Sequence, residues 1–275
     1  QYLNSTNYEL NNIIGNAFVQ VEPIPGLRIK GSLGGEYYVN LRKQWNSNDI
    51  WMFSQTPQNP YASQDGLAKG NYGERQTKTP NLNKELMVTF NRNIFKDHNI
   101  DILLGAQQQE AQWYSGGLSG NVNYTDPQFW SISNIPPYTQ GSAGILQEDA
   151  LIGYVGRLSY KFKDKYYLDG TFRRDGSSRL APGYKWDNFT SFAAAWRISG
   201  EDFFPKTSFV DDLKIRGGWG KLGNYQSARY YAYLSAVSLT PDYSFGSGNG
   251  DGYGTQLQGA ALPNFANNTL SWEKL

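Results

Sequence analysis

This sequence predicts an all-β fold: an antiparallel transmembrane β-barrel fragment of about eight strands, with long extracellular loops. Three observations carry that reading. Apolar and polar residues alternate with period two from Ala150 to Lys221. One end of each hairpin is a short turn and the other a long polar loop. The apolar side of each strand is rich in Leu, Ile, Phe, Tyr and Trp, while the opposite side carries charge. A soluble β-sandwich also alternates, though its turns tend to be of similar length at both ends, and it stands as the alternative.

Each element follows from the same pattern. In the first strand Ala17, Val19 and Val21 alternate with Asn16, Phe18, Gln20 and Glu22, and a turn follows at Pro23-Ile24-Pro25-Gly26. The second strand sets Leu27, Ile29, Leu33 and Tyr37 against Arg28, Lys30, Ser32 and Glu36. A long polar loop is expected over 41–79. The third strand sets Leu86, Val88 and Phe90 against Met87, Thr89 and Asn91, and a short turn spans Lys96 to Asn99. The fourth sets Ile100, Ile102, Leu104 and Ala106 against Asp101, Leu103, Gly105 and Gln107, before a second long loop over 116–147.

The fifth strand places Ile152, Tyr154, Leu158, Tyr160 and Phe162 on one face, with Arg157, Ser159 and Lys161 on the other. After the turn at Lys163-Asp164-Lys165, Tyr166, Leu168, Gly170 and Phe172 oppose Tyr167, Asp169, Thr171 and Arg173. The seventh strand opposes Phe192, Ala194, Trp196 and Ile198 to Ser191, Ala193, Ala195, Arg197 and Ser199. A medium connection over 200–212 leads to the eighth, with Leu213, Ile215, Gly217 and Trp219 opposite Lys214, Arg216 and Gly218. A ninth strand is expected to begin near Leu270. A strand of about 12 residues at roughly 3.3 Å each, tilted near 45°, spans about 28 Å, which suits the hydrocarbon layer.

Composition agrees and excludes several functions. The 275 residues include 30 Gly, 20 Tyr, 14 Phe and 8 Trp, a mix that fits turn-rich β-structure with aromatic girdles. No run of about 18 apolar residues exists, so no transmembrane helix is expected. A net charge of +1 implies no nucleic-acid partner. The absence of Cys excludes disulfides, thiolate metal sites and Cys nucleophiles. The single histidine, His98, reads as a solvated turn residue. No Ser/His/Asp set, carboxylate pair or phosphate loop stands out, so no enzyme, cofactor or metal site is expected.

At Phe172-Arg173-Arg174-Asp175-Gly176-Ser177-Ser178-Arg179 the chain resembles the SusC/RagA family of TonB-dependent outer-membrane transporters from the Bacteroidota. The resemblance extends through Tyr154-Val155-Gly156-Arg157, Lys163-Asp164-Lys165-Tyr166, Lys185-Trp186, Trp196-Arg197-Ile198-Ser199, Glu201, Phe203, Asp212-Leu213-Lys214-Ile215-Arg216, Gly220-Lys221-Leu222-Gly223-Asn224 and Leu270-Ser271-Trp272-Glu273-Lys274. It covers 151–274, departing mildly at Lys185, where Arg is usual; upstream only the pattern matches. The resemblance implies that residues 1–275 form part of one 22-stranded barrel domain, with plug, TonB box and C-terminal strands outside this chain. It implies location in the outer membrane of a Gram-negative bacterium and import of large nutrients, chiefly glycans and sometimes peptides. The implied partners are outer-membrane lipid, a SusD-like lipoprotein lid and the TonB complex, reached through the plug. A soluble or surface-attached β-rich carbohydrate-binding module is the alternative function.

The candidate ligand contacts are aromatics of the long loops: Trp45, Trp51 and Tyr61 in the first, Tyr124, Trp130 and Tyr138 in the second, Tyr231 and Tyr243 in the third. Aromatic faces stack on sugar rings; the same rings could instead pack loop on loop, form the interfacial girdle or meet the lid. Arg173, Arg174, Asp175, Gly176, Ser177 and Ser178, with Trp196 and Arg197, read as structural, Asp175-Gly176 forming a tight turn capped by Ser177 or Ser178. Arg157, Arg173, Arg197, Lys214 and Arg216 share the polar face and are expected to pair with plug or wall carboxylates, or to attract an acidic ligand.

Overall fold

The computed structural model describes residues 4–47, 70–122, 126–205, 210–235, 237, 242–245, 255–262 and 265–275. Eight long or medium strands form one antiparallel sheet in sequential order: β1 (Asn4–Ile24), β2 (Leu27–Ser47), β3 (Gly70–Ile94), β4 (His98–Val122), β5 (Gly141–Phe162), β6 (Tyr166–Ser177), β7 (Trp186–Arg197) and β8 (Lys214–Gly220). Near Leu270, where a ninth strand is expected, the chain forms the two-residue β12 (Glu273–Lys274), which pairs with β9 (Gly223–Asn224) in a separate two-stranded sheet. A further hairpin, β10 (Asp242–Phe245) with β11 (Thr255–Gln258), lies in what the sequence presents as loop. No helix among the described residues is long and apolar enough to cross a membrane.

The eight-strand, four-hairpin arrangement holds, but most strands are far longer than about 12 residues. β3 and β4 have 25 residues each and β5 has 22. Of the loop expected over 41–79, residues 41–47 are strand in β2 and 70–79 are strand in β3, while that over 116–147 shrinks to the segment between Val122 and Gly141, which holds short 3-10 turns at Pro127–Phe129, Ile132–Asn134 and Pro137–Thr139. Alternation marks the stretch of a strand with a regular apolar face; the backbone ladder continues where polar residues interrupt that face.

The short turns are tight for local reasons. Lys163 and Asp164 take φ of 50° and 54°, and the Lys165 amide donates to the Phe162 carbonyl at 3.0 Å, the primed hairpin geometry that matches strand twist. His98 is not a solvated turn residue. It opens β4 with its Nδ1 at 2.6 Å from the Tyr160 hydroxyl and its ring 4.6 Å from that of Phe162.

The chain forms two compact units. The first takes 1–18, 32–84 and 109–148, and its apolar cluster joins Trp45, Tyr72, Val122 and Ile135 with Trp130 against it. The second takes 19–31, 85–108 and 149–275, and its cluster joins Leu180, Phe189, Ala228 and Trp272, flanked by Leu151, Tyr225 and Leu270.

Candidate functional site

In the second unit the register builds two chemically opposite faces. Paired rows across β5 to β8 read Phe162–Tyr166–Trp196–Ile215, Tyr160–Leu168–Ala194–Gly217 and Leu158–Gly170–Phe192–Trp219. Phe192, Trp219 and Ile215 are 60% or more exposed, and Leu158 and Leu168 about half exposed. That is a contiguous apolar belt that no other described residue covers, far beyond the scattered apolar residues of an aqueous surface. At one border of the belt, aromatic rings stack in a row: Phe162 on Tyr166 and Tyr166 on Trp196, with centroids 6.2 and 6.5 Å apart.

The interleaved rows are Lys161–Tyr167–Ala195–Arg216, Ser159–Asp169–Ala193–Gly218 and Arg157–Thr171–Ser191–Gly220. Here most charges are neutralised within the sheet and its turns. Arg157 meets Asp169 at 3.4 Å, Arg173 makes a two-point contact with Asp175, and Arg197 meets Asp212 and Asp164 at 2.8 and 3.2 Å. Lys214 lies 3.6 Å over the Tyr167 ring.

The motif Arg173 to Ser178 is ordered differently from the expectation. β6 runs straight through to Ser177, so Asp175-Gly176 is strand and not a tight turn. Asp175 is held by Arg173. Gly176 sits under the Trp186 indole, where an added Cβ would stand 2.7 Å from the ring. Arg174, on the belt side, lies 5.6 Å from the centroid of the same indole. Ser177 is buried, and its Oγ accepts from the Arg179 amide at 3.3 Å. Ser178 Oγ accepts from the Ala150 amide at 2.8 Å. The turn itself lies between Ser177 and Trp186.

Beyond β7, Glu201 gathers the Tyr166 hydroxyl at 2.6 Å, the Trp196 Nε1 at 3.0 Å and the Lys165 Nζ at 2.9 Å. Those donors, Tyr166 first, hold its carboxyl well below the ordinary value of 4.5, at about 2. A carboxylate whose pKa falls on folding stabilises the fold above its unfolded pKa and ceases to do so as pH drops through the folded one. The expected outcome is that Glu201→Gln lowers the thermal midpoint at pH 7 and that the gap to the parent narrows as pH falls from about 4.5 toward 2. A gap independent of pH would remove the charged form of Glu201 from the account.

Among the candidate ligand aromatics, Trp45 and Trp130 are brought together. Their rings stack at 5.0 Å with planes 9° apart, and Trp45 is 1% exposed. Tyr231 is exposed, with φ of 58° and its ring 6.3 Å from Tyr230. Trp51, Tyr61 and Tyr124 lie outside the described residues. Tyr138 sits in the 3-10 turn Pro137–Thr139 and Tyr243 in β10.

Trp45, Tyr72 and Val122 occupy one face of the first unit. Its other face is a polar ladder that the aromatic reading missed: Arg42, Gln44 and Asn46 on β2, Asn71, Arg75 and Thr77 on β3, Ser115, Ser119 and Asn121 on β4. Cross-strand contacts include Asn71 to Asn121 at 3.5 Å and Thr77 to Ser115 at 3.3 Å. A cavity of about 300 Å³ opens on this ladder. The signal was present in sequence as polar residues two apart, Arg42-x-Gln44-x-Asn46.

No family model matches the chain. It is 26% identical over 269 residues to the TonB-dependent receptor SusC of Bacteroides thetaiotaomicron, covering 96% of this chain and 24% of that protein. It is 27% identical over 277 residues to the TonB-dependent receptor P26 of Formosa agariphila, covering 98% of this chain and 26% of that protein. The chain thus spans about a quarter of the length of these curated relatives. Its fold matches a solved structure of the RagAB peptide transporter with a TM-score of 0.79 at 21% identity, over 99% of this chain and 28% of that one. The same importer in an "open-open" state matches with a TM-score of 0.79 at 20% identity, over 99% of this chain and 27% of that one. The chain therefore matches receptors of the SusC/RagA type along nearly its whole length, and this homology is to outer-membrane transport proteins and not to enzymes.

Proposed function

We propose that this chain is part of the transmembrane barrel wall of a TonB-dependent outer-membrane importer of large nutrients. The observation that carries the reading is the apolar belt of Leu158, Leu168, Phe192, Ile215 and Trp219, exposed among the described residues and backed by an interleaved charged face. A belt of that kind is stable against acyl chains, and the charged face then lines an aqueous lumen. In this reading residues 1–275 contribute to a single closed barrel domain, a plug fills the lumen, and the inner-membrane TonB complex acts on that plug. A SusD-like lipoprotein covers the loop side. The soluble carbohydrate-binding module is disfavoured, because it leaves the belt in water and does not account for receptor matches covering nearly all of the chain.

Glycans are the proposed cargo class, with aromatics such as Trp51, Tyr61, Tyr124 and Tyr231 offering ring-stacking faces. Peptides are the second class, favoured by the fold match to a peptide transporter. Trp45 and Trp130 contribute to packing in this scheme, since they stack on one another.

The test is a pair of substitutions on opposite faces of neighbouring strands, made in the protein that carries this chain. Phe192→Arg, at a site 62% exposed in the belt, is expected to cost about 2–4 kcal/mol and to deplete the protein from the outer membrane. Thr171→Glu, on the charged face where Thr171 pairs with Arg157, is expected to leave membrane levels unchanged. Equal tolerance of both, with the protein recovered in buffer without detergent, would sink the barrel reading.

A further inference from the structure

The polar ladder of the first unit holds two guanidinium groups that lack a carboxylate partner among the described residues. Arg42 donates through Nη2 to Gln44 and lies 6.0 Å from the Tyr8 ring centroid, while its Nε is buried without a hydrogen-bond partner. Arg75 donates only a long bond, 3.5 Å, to Ser115 Oγ. Both line the same cavity, together with Gln44, Asn46, Asn71 and Ser119. This contrasts with the second unit, where Arg157, Arg173 and Arg197 each meet a carboxylate.

The cavity's shape is set by glycine. Gly73 and Gly117 face closely spaced neighbours: a Cβ at Gly117 would stand 2.5 Å from the Glu74 carbonyl oxygen, and one at Gly73 would stand 2.9 Å from Ser119 Cβ. At both positions the neighbouring strand lies too close for a side chain, so glycine lets the strands that line the cavity approach one another. Glu74 lines the cavity as well, but its carboxylate accepts from the Tyr72 hydroxyl at 2.7 Å, and Tyr72 belongs to the opposite face of the strand. The carboxylate that does belong to the ladder, Glu36, accepts from Asn12 at 3.1 Å and from Asn81 at 3.5 Å.

We propose that Arg42 and Arg75, with the amides of Gln44, Asn46 and Asn71, form a subsite for a carboxylate group carried by the imported cargo. Guanidinium groups bind carboxylates through short, charge-assisted bonds, and flanking amides supply donors to the remaining lone pairs. Arg42 donates through Nη2 and Arg75 through Nη1, which leaves further N–H groups on each guanidinium that a carboxylate satisfies and a neutral hydroxyl serves less well. The proposal deepens the importer reading above and rests on it for the word cargo; the binding chemistry stands on the cavity itself. A carboxylate can come from a uronic-acid sugar or from an acidic peptide side chain, and both present the same group to the arginines.

The experiment uses the purified, detergent-solubilised protein that carries this chain. Calorimetric titration compares trigalacturonate with maltotriose, and an aspartate-containing pentapeptide with its asparagine counterpart. The wild type is expected to prefer an acidic probe over its neutral partner, and the Arg42→Gln/Arg75→Gln variant to lose about 10- to 100-fold in affinity for that probe while keeping its weak affinity for the neutral one. Whichever acidic probe shows the effect identifies the source of the carboxylate. A Lys84→Gln variant, which breaks the ion pair with Glu110 elsewhere on the unit, is expected to bind as wild type. No acidic preference in the wild type, or unchanged acidic binding in the double-arginine variant, overturns the proposal. Intact acidic binding by a protein that Phe192→Arg fails to displace from the membrane fraction overturns the importer reading instead, so the two failures are separable.

Discussion

Replacing Arg179 by Met is expected to destabilise the fold by about 3–5 kcal/mol, the cost of leaving a buried partner charge uncompensated. Arg179 reaches Asp149 through Nε at 2.9 Å and through Nη2 at 2.8 Å, and the two side chains are only 16% and 10% exposed. The same guanidinium donates to the Tyr230 hydroxyl at 2.7 Å and lies 4.0 Å from that ring's centroid. Ser178 Oγ donates to the second oxygen of Asp149 at 3.4 Å. One ion pair therefore ties the middle of β5, the end of the Arg173–Arg179 motif and the segment carrying Tyr230. Removing the arginine strands the Asp149 carboxylate; adding Asp149→Leu to it removes the stranded charge. The double variant is expected to recover much of the loss, and a double-mutant cycle on the urea midpoint of the folded protein measures the coupling. A single variant that unfolds at the parent's midpoint would show that the pair contributes nothing.

That cluster also marks where reading by pattern stopped working. The alternation from Ile152 to Trp219 could be read residue by residue, because one face needs an apolar side chain at every second place, and the observed register keeps those places in common rows. Strand ends could not be read that way. Above the apolar stretch, β2 carries Arg42, Gln44 and Asn46 on one face and interrupts the other with Lys43 between Leu41 and Trp45, so hydropathy distinguishes strand from loop less clearly while the backbone ladder continues. Asp175-Gly176 has the composition of a turn, yet its glycine answers to the indole of Trp186, a neighbour brought in by β7 and invisible locally. Tertiary context overrode local turn chemistry there.

The candidate site divides along the same line. Aromatic content singled out Trp45 and Trp130, but which face of the sheet an aromatic occupies decides whether it can meet cargo. Trp45 lies opposite the ladder of Arg42, Gln44 and Asn46, because odd and even positions of β2 point to opposite sides. The polar ladder was present in the sequence at the same spacing. Polar residues at alternate places are what any solvated strand shows; the distinguishing fact, two arginines beside a cavity with no carboxylate partner among the described residues, exists only in three dimensions.

Two glycines with nearly identical φ separate conformational strain from crowding. Gly26 has φ of +88° and Gly183 has φ of +89°, a region that L side chains enter at a cost of about 1–2 kcal/mol. Around Gly183 no atom lies within 4 Å of an added Cβ; at Gly26 that atom would stand 2.2 Å from the Asn91 carbonyl oxygen. The crowding has a cause. The Asn91 amide donates to the Gly26 carbonyl at 2.9 Å, drawing the turn between β1 and β2 against β3, and the Gly26 amide is fixed in turn by Glu22 Oε1 at 2.9 Å. A methyl group at position 26 has to break that backbone bond or displace the β3 main chain. Gly183→Ala is therefore expected to cost only the backbone strain. Gly26→Ala is expected to cost the strain and roughly 1–3 kcal/mol more for overpacking, measured as the difference in urea midpoint between the two variants. Equal midpoints would mean that the turn moves freely away from Asn91. The bond between Gly26 and Asn91 would then be a consequence of strand pairing and not part of what holds the first hairpin in place.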